Sequence, residues 1–279
     1  MFPRLSFALA VAAASLISVP AHASDLIYPG GGTMAQIVDG GGTRSTLTLI
    51  NLDSTSATYT LSFYADDGSA LTLSTTSTTA GSTSSAVLTG TLPVGGSTII
   101  QTSGSGGAIV QGYAVLLTDF QIGGSVVFGL PLAHLPLAEA SCPLDTGLAS
   151  IIGIPFDQTT ASYGVALVNS PGDDPYQAAG GKATNLAISF YDQTGNQIGT
   201  TQAMQLAHGQ HTAFMLDNQF PPTAGKTGVM VITSTDTSGN AYAIKVLGLR
   251  ANLAGTTFTS VAPLIPCNYD SSFGGCTQF

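Results

Sequence analysis

Charge is the scarcest commodity in this chain. Asp, Glu, Lys and Arg make up only 8% of its 279 residues, against about a quarter in ordinary soluble domains. The acidic residues number 15 and the basic ones six. So few cations give no patch for a phosphate backbone, which disfavours nucleic-acid binding. The same balance argues against docking on anionic lipids. Glu139 is the sole glutamate, which excludes a glycosidase built on two glutamates, although Asp pairs remain conceivable. Tryptophan is absent, so the aromatic girdle of an outer-membrane barrel is poorly supplied.

The three cysteines are Cys142, Cys267 and Cys276. They form no C-x-x-C, so a thioredoxin-like redox site is not expected. Cys267 and Cys276 enclose a short Gly-containing tail and are the expected disulfide pair. Cys142 joined to either one remains an alternative. No G-x-S-x-G nucleophile elbow occurs.

The surface must therefore be built from Thr, Ser, Asn, Gln and Gly. Hydrophobic residues are 44% of the chain, enough apolar surface to offset chain entropy. Good helix formers are few, whereas Val, Ile, Thr, Phe and Tyr are common, which favours strands. The 34 Gly and 14 Pro suit many tight turns.

Residues 1–23 read as a signal peptide: Arg4, an apolar run from Leu5 to Val19, then Ala21-His22-Ala23 as a small-residue cleavage site. Its style suggests a bacterial envelope, and the expected location is secreted, periplasmic or extracellular. The apolar run is short for a membrane span.

Period-2 alternation, the mark of half-buried antiparallel strands, runs through the rest. Tyr59, Leu61 and Phe63 alternate with Thr58, Thr60 and Ser62, and Leu186, Ile188 and Phe190 do the same. Motifs recur in order. TLTLIN, ending at Asn51, matches GVALVN, ending at Asn169. LSFYADDG (61–68) matches ISFYDQTG (188–195), LPVGGST (92–98) matches LAHGQHT (206–212), and VVFGL (126–130) matches KVLGL (245–249). This order predicts an all-β chain of two tandem antiparallel β-sandwich domains, Greek-key or immunoglobulin-like, related by internal duplication. The expected division is 24–132 for the first domain, 133–148 for a linker, 149–265 for the second domain and 266–279 for a tail. Residues 74–90 are Ser/Thr-rich and read as a loop, as does 171–182.

Each candidate site has a plainer reading beside it. His208 and His211 straddle a Gly turn and are expected to be a solvated turn rather than ligands, since a metal site needs three or four converging groups. Asp66-Asp67 and Asp173-Asp174 lack the spacing of a calcium loop. Ala224-Gly225-Lys226-Thr227 lacks the Gly-rich cradle of a phosphate loop. A triad would have to draw on His134, His208 or His211, with no suggestive partner nearby in sequence. No catalytic residue, cofactor or metal is expected. Tyr64, Tyr113, Tyr163 and Tyr191 are candidates for stacking on a glycan, with ordinary strand packing as the alternative. Residues 269–279 alternate and end in Phe279, as outer-membrane barrels often do; sandwich turn spacing favours the other reading.

The stretch Asp39-Gly40-Gly41-Gly42, the run from Leu47 to Gly68, the turn Leu92-Pro93-Val94-Gly95-Gly96, and Gly248-Leu249-Arg250 through Phe258-Thr259-Ser260 to Leu264 together resemble uncharacterised secreted bacterial proteins. The resemblance covers nearly all of the chain after the leader and implies tandem immunoglobulin-like repeats. It brings no catalytic residues. The expected role is non-enzymatic: structural, adhesive or assembly, with a protein, a glycan or a second copy as partner at the cell surface. A carbohydrate-binding protein and a hydrolase with an unrecognised site are the alternatives.

Overall fold

The computed structural model describes residues 31–130, 138–170, 181–252, 257–265, 268–270 and 275–277. The leader, His134, Asp173, Asp174 and Cys267 lie outside them. The chain is all-β. The strands are β1 (Gly31–Asp39), β2 (Arg44–Asn51), β3 (Ala57–Ala65), β4 (Leu73–Ser77), β5 (Gly81–Ser85), β6 (Val87–Leu92), β7 (Ser97–Thr102), β8 (Val110–Thr118), β9 (Ile122–Leu130) and β10 (Ala138–Pro143). There follow β11 (Ile151–Asp157), β12 (Ala161–Val168), β13 (Thr184–Asp192), β14 (Gln202–Leu206), β15 (His211–Met215), the one-turn helix α1 (Leu216–Gln219), β16 (Thr227–Asp236), β17 (Lys245–Asn252) and β18 (Phe258–Val261). A ribbon of β19 (Asn268–Asp270) and β20 (Gly275–Thr277) comes last.

Four larger sheets form, with every pairing antiparallel. Sheet I is β1-β8-β3-β6 and sheet II is β10-β9-β2-β7-β4-β5. Sheet III is β11-β16-β13-β14 and sheet IV is β15-β12-β17-β18. Sheets I and II share one apolar core, including Leu47, Leu49, Leu61, Phe63 and Leu116. Sheets III and IV share another, including Val165, Leu167, Ile188, Phe190 and Ile232. The first half thus runs to about residue 145 and the second from about 149. Strand order repeats between them: β1-β8-β3-β6 corresponds to β11-β16-β13-β14, and β10-β9-β2-β7 to β18-β17-β12-β15.

Particular residues do the same work in both halves. The Asn51 side-chain amide donates to the carbonyls of Thr55, Leu92 and Pro93 at 2.7, 3.0 and 3.1 Å. Asn169 donates to Lys182, Leu206 and Ala207 at 2.9, 3.2 and 3.1 Å. Each ties the end of one sheet to a strand of the facing sheet. Both Asn side chains are buried, and their amides reinforce carbonyls that also accept elsewhere, Pro93 from the Gly96 N–H, Ala207 from the Gln210 N–H and Leu92 from the Ser56 hydroxyl. Gly95 and Gly209 close the matching turns with φ of 66° and 76°, a region open to Gly at little cost.

Three expectations change. Residues 133–148 were expected to be a linker without alternation, but Ala138–Pro143 forms β10 along β9. Its buried positions are Ala138, Ala140 and Cys142, residues too small or weakly hydrophobic to stand out as an apolar stripe. The matching of VVFGL to KVLGL is out of register. Thr48 and Ala166 hold the same place relative to Asn51 and Asn169, and they face Ser125 and Leu247. The true counterpart of KVLGL is therefore 123–127. A three-residue slip reverses the faces: Phe128 points into its own core, whereas Leu247 points out of its own. Residues 74–90, read as a loop, mostly form the β4–β5 hairpin and β6.

Replacing Asn51 or Asn169 with Ala should each destabilise the fold by about 1–3 kcal/mol, the cost of removing a buried amide that bonds three carbonyls. Urea unfolding of the single variants measures this, and a loss no greater than that of an exposed control such as Asn185→Ala would refute the assignment.

Candidate functional site

A cluster of polar side chains lies between the halves, where the outward face of sheet I meets the outward face of sheet IV. Two strands reveal it. In β1 every residue after Gly31 is buried, and in β12 only Ser162 is not. Strands in a two-layer sandwich bury alternate residues; these bury both faces. Val165 and Leu167 point into the second-half core. Ala166 and Val168, of opposite parity, join the first-half core together with Leu247. The faces therefore layer in the order II, I, IV, III, while β10 of sheet II and β18 of sheet IV meet directly along one edge.

A bulge sets the polar centre of the seam. The β1–β8 register shifts between Met34 and Ile37, which re-aims a side chain. Gln36 emerges toward the second half, where its side-chain oxygen lies 3.1 Å from His211 Nε2. His211 Nδ1 lies 2.7 Å from an Asp66 carboxylate oxygen. The His211 backbone N–H also donates to the Asp66 carbonyl at 2.9 Å. Gln111 donates to the other Asp66 oxygen at 2.9 Å. Tyr113 donates its hydroxyl proton to the Gly209 carbonyl at 2.7 Å and stacks between Tyr64 and His211, with centroids 5.2 and 6.1 Å away. Gly68 meets Gly209 so closely that a Cβ on Gly68 would lie 2.8 Å from the Gly209 carbonyl oxygen.

Further along, Thr33 and Ser170 share a buried hydroxyl–hydroxyl hydrogen bond of 2.8 Å. Buried Lys245 donates to the carbonyls of Asp145, at 3.2 Å, and Gly147, which anchors the connection between the halves. Beside it β10 and β18 adjoin, with Phe128 and Phe258 rings 5.8 Å apart and Ser141 and Ser260 hydroxyls at 3.2 Å.

Electrostatics follow this geometry. Burial pushes the Asp66 carboxyl up, but hydrogen bonds from His211 and Gln111 outweigh it and hold the group below its ordinary 3.8. Cys142 is a buried free thiol, pushed up to about 12 by desolvation. Asp157 and Asp192 are each held down to about 2, chiefly by hydrogen bonds from Thr159 and Thr194 in their own turns. Those carboxylates are occupied locally.

Several expectations must be corrected. His211 is not in a solvated turn: it is 1% exposed, and a residue of the other half occupies each ring nitrogen. With Gln36 at Nε2, in the place a nucleophile would take, and the ring itself buried although Asp66 is half-exposed, the His211–Asp66 pair has no Ser, Thr or Cys beside it to activate. His208 does not join it, and among the described residues no three His, Cys, Asp or Glu side chains converge as a metal site would require. Tyr113 is 0% exposed and presents no ring face to a glycan, whereas Tyr163, 7% exposed, borders the groove beside Arg250. Tyr64 is half-buried against Tyr113, and Tyr191 is half-buried on the outward face of sheet III. Asp67 caps its own turn by accepting the Ser69 N–H. Lys226 follows a one-turn 3-10 segment, Pro221–Thr223, and Thr227 begins β16. Cys276 lies in β20, and its expected partner Cys267 lies outside the described residues.

Two open grooves lie on the surface. One, of about 600 Å³, runs along Thr58, Thr60, Thr89, Thr91 and Asp119, and Thr58 already occupies that carboxylate. The other, of about 610 Å³, lies at one end of the second half beside Phe156, Asp192, Arg250 and Val261. No family model matches the chain, and no curated protein is significantly similar to it.

Two measurements check the seam. Asp66→Asn and His211→Gln, singly and together, should show a coupling of about 0.5–3 kcal/mol in thermal or urea unfolding. Because the folded carboxyl of Asp66 titrates lower than the unfolded one, its contribution is present above 3.8 and lost as the pH falls through the lowered value. Wild type should therefore lose more stability than Asp66→Asn on acidification, and parallel pH profiles would contradict this. Cys142 should resist thiol reagents in the native state and react fully once unfolded; rapid native labelling would contradict its burial.

Proposed function

We propose that this is an exported, non-enzymatic protein of the bacterial envelope or extracellular matrix, a duplicated pair of immunoglobulin-like sandwiches that serves as a structural or docking element. The observation that carries the reading is the seam. Two halves of matching strand order pack face to face, and a cluster of buried polar side chains joins them across that junction rather than lining a pocket. The leader-like N-terminus supports export. The low-charge Ser/Thr/Gly surface suits contact with neutral matter.

A glycan ligand is the second reading. Tyr191 is half-exposed and followed by Asp192 and Gln193, which line the groove beside Arg250. Aromatic faces flanked by polar groups suit sugars.

Fractionating cells that express the full chain should place it, shortened by its leader, in the envelope or medium. Purified protein should hydrolyse nothing in an esterase, glycosidase and peptidase screen. A cytoplasmic, uncleaved product or a robust hydrolase activity would overturn the proposal. On a glycan array, binding that Tyr191→Ala abolishes would favour the second reading.

A further inference from the structure

The seam that joins the halves has an unused counterpart at each end of the molecule. In the seam, sheet I is the acceptor and sheet IV the donor. Strand order equates sheet III with sheet I and sheet II with sheet IV. Sheets III and II are the two outer layers, so among the described residues each molecule carries an uncovered acceptor face, bordered at β11 by the Gly153–Leu264 pairing, and an uncovered donor face.

Register shows what stands there. On the donor side, Thr48 faces Ile99 as Ala166 faces Ala213, and Ile50 faces Ser97 as Val168 faces His211. Thr46 faces Val127 as Gly164 faces Leu249. Val168 and Ala166 are 0% and 1% exposed in the seam, whereas Ile50, Ile99 and Val127 are 39%, 45% and 37% exposed on the outer face of sheet II. On the acceptor side, Tyr64 faces Tyr113 as Tyr191 faces Val229. Gly112 and Gly228 fix this equivalence, since a Cβ on either would lie 1.9 or 2.0 Å from the carbonyl oxygen of the corresponding tyrosine. It places Val231 at the position of Val115, which is 3% exposed in the seam, while Val231 is only half-buried. Nearby Ile151 is 36% exposed.

Ile50 is thus exposed where the seam buries its counterpart Val168, and Val231 is half-buried where it buries Val115; Ile99 and Val127 stand where the seam half-buries Ala213 and Leu249. No Asp, Glu, Lys or Arg occurs from Gly68 to Thr118, the segment that supplies β7 in the middle of the donor face. Two acidic molecules can approach there at little Coulomb cost.

We infer that a second copy of this chain docks its sheet II on the sheet III of the first, repeating the arrangement of sheets IV and I, so that copies stack head to tail. The inference deepens the structural reading above by naming the partner and its surface. The contact uses different faces on the two molecules, so it leaves a free face at each end and can propagate. The pins of the internal seam are replaced: Ser97 stands for His211, Gln193 for Asp66, and Val229 for Tyr113. The intermolecular contact is consequently more apolar, reversible and dependent on concentration.

Sedimentation velocity of the purified protein, from micromolar to millimolar, tests this. Wild type should form a ladder of oligomers. Ile99→Asp blocks the donor face and Val231→Asp the acceptor face; each alone should be monomeric with unchanged circular dichroism and melting temperature. Mixed in equal amounts, they should form dimers and nothing larger, because one intact donor then meets one intact acceptor. If Val231→Asp does not fold, Thr233→Lys, exposed on the same face, replaces it. Monomeric wild type, assembly that survives both variants, or a mixture that stays monomeric would each overturn the inference. Assembly abolished only by Thr83→Pro would show pairing through the β5 edge instead, and would also overturn it. Hydrolase activity in the capped dimer would end the structural reading and leave this interface standing. Monomeric protein retained in the envelope would do the reverse.

Discussion

Because sheets I and IV meet face to face, β1 and β12 must each hide side chains on both of their faces. That requirement shapes the rest. A strand buried on one side can carry any polar residue on the other; a strand buried on both cannot, unless each polar group finds a partner. β12 meets it by being apolar at nearly every position. β1 meets it with a bulge that turns Gln36 toward His211 while Met34 and Ile37 stay in the core.

The polar contacts of the seam matter more for placement than for raw stability. A buried ionisable pair is costly to desolvate, and its attraction often does no more than offset that cost. Asp66 is half-exposed, which lowers the cost further and limits the gain. What the His211–Asp66–Gln36 cluster, the Tyr113–Gly209 bond and the Thr33–Ser170 bond supply together is uniqueness. Any sliding or rotation of one half on the other would strand several buried polar groups at once, each costing about 1–3 kcal/mol. The close Gly68–Gly209 approach acts sterically in the same direction.

The scarcity of charge has a structural logic in this setting. Stacked sheets leave broad flat faces, and charged residues on them would guard against association. Here the outer faces are Thr, Ser, Gln, Ile, Val and Tyr, with Arg44 and Glu139 toward the margin of sheet II. Net negative charge keeps molecules apart at long range, while the faces themselves impose no local barrier. A molecule of this kind combines solubility with the capacity to dock.

Period-2 alternation, turn chemistry and the recurrence of SFY and Asn motifs were enough to read an all-β chain with a repeated strand plan, because those signals are local and each residue's face follows from parity. Asn51 and Asn169 were visible as matched positions; that both would cap facing sheets was not, since their acceptors lie up to 42 residues away along the chain. β10 escaped notice because its buried side chains are Ala, Ala and Cys. The slip between VVFGL and KVLGL arose because similar composition can occupy opposite faces, and only cross-strand register distinguishes them. Local patterning, then, determined the strands, many of the turns and their repetition. The seam was decided by tertiary structure alone: His211, Asp66, Gln36 and Tyr113 are scattered through the sequence, and nothing short of packing one folded half against another brings them within hydrogen-bonding distance.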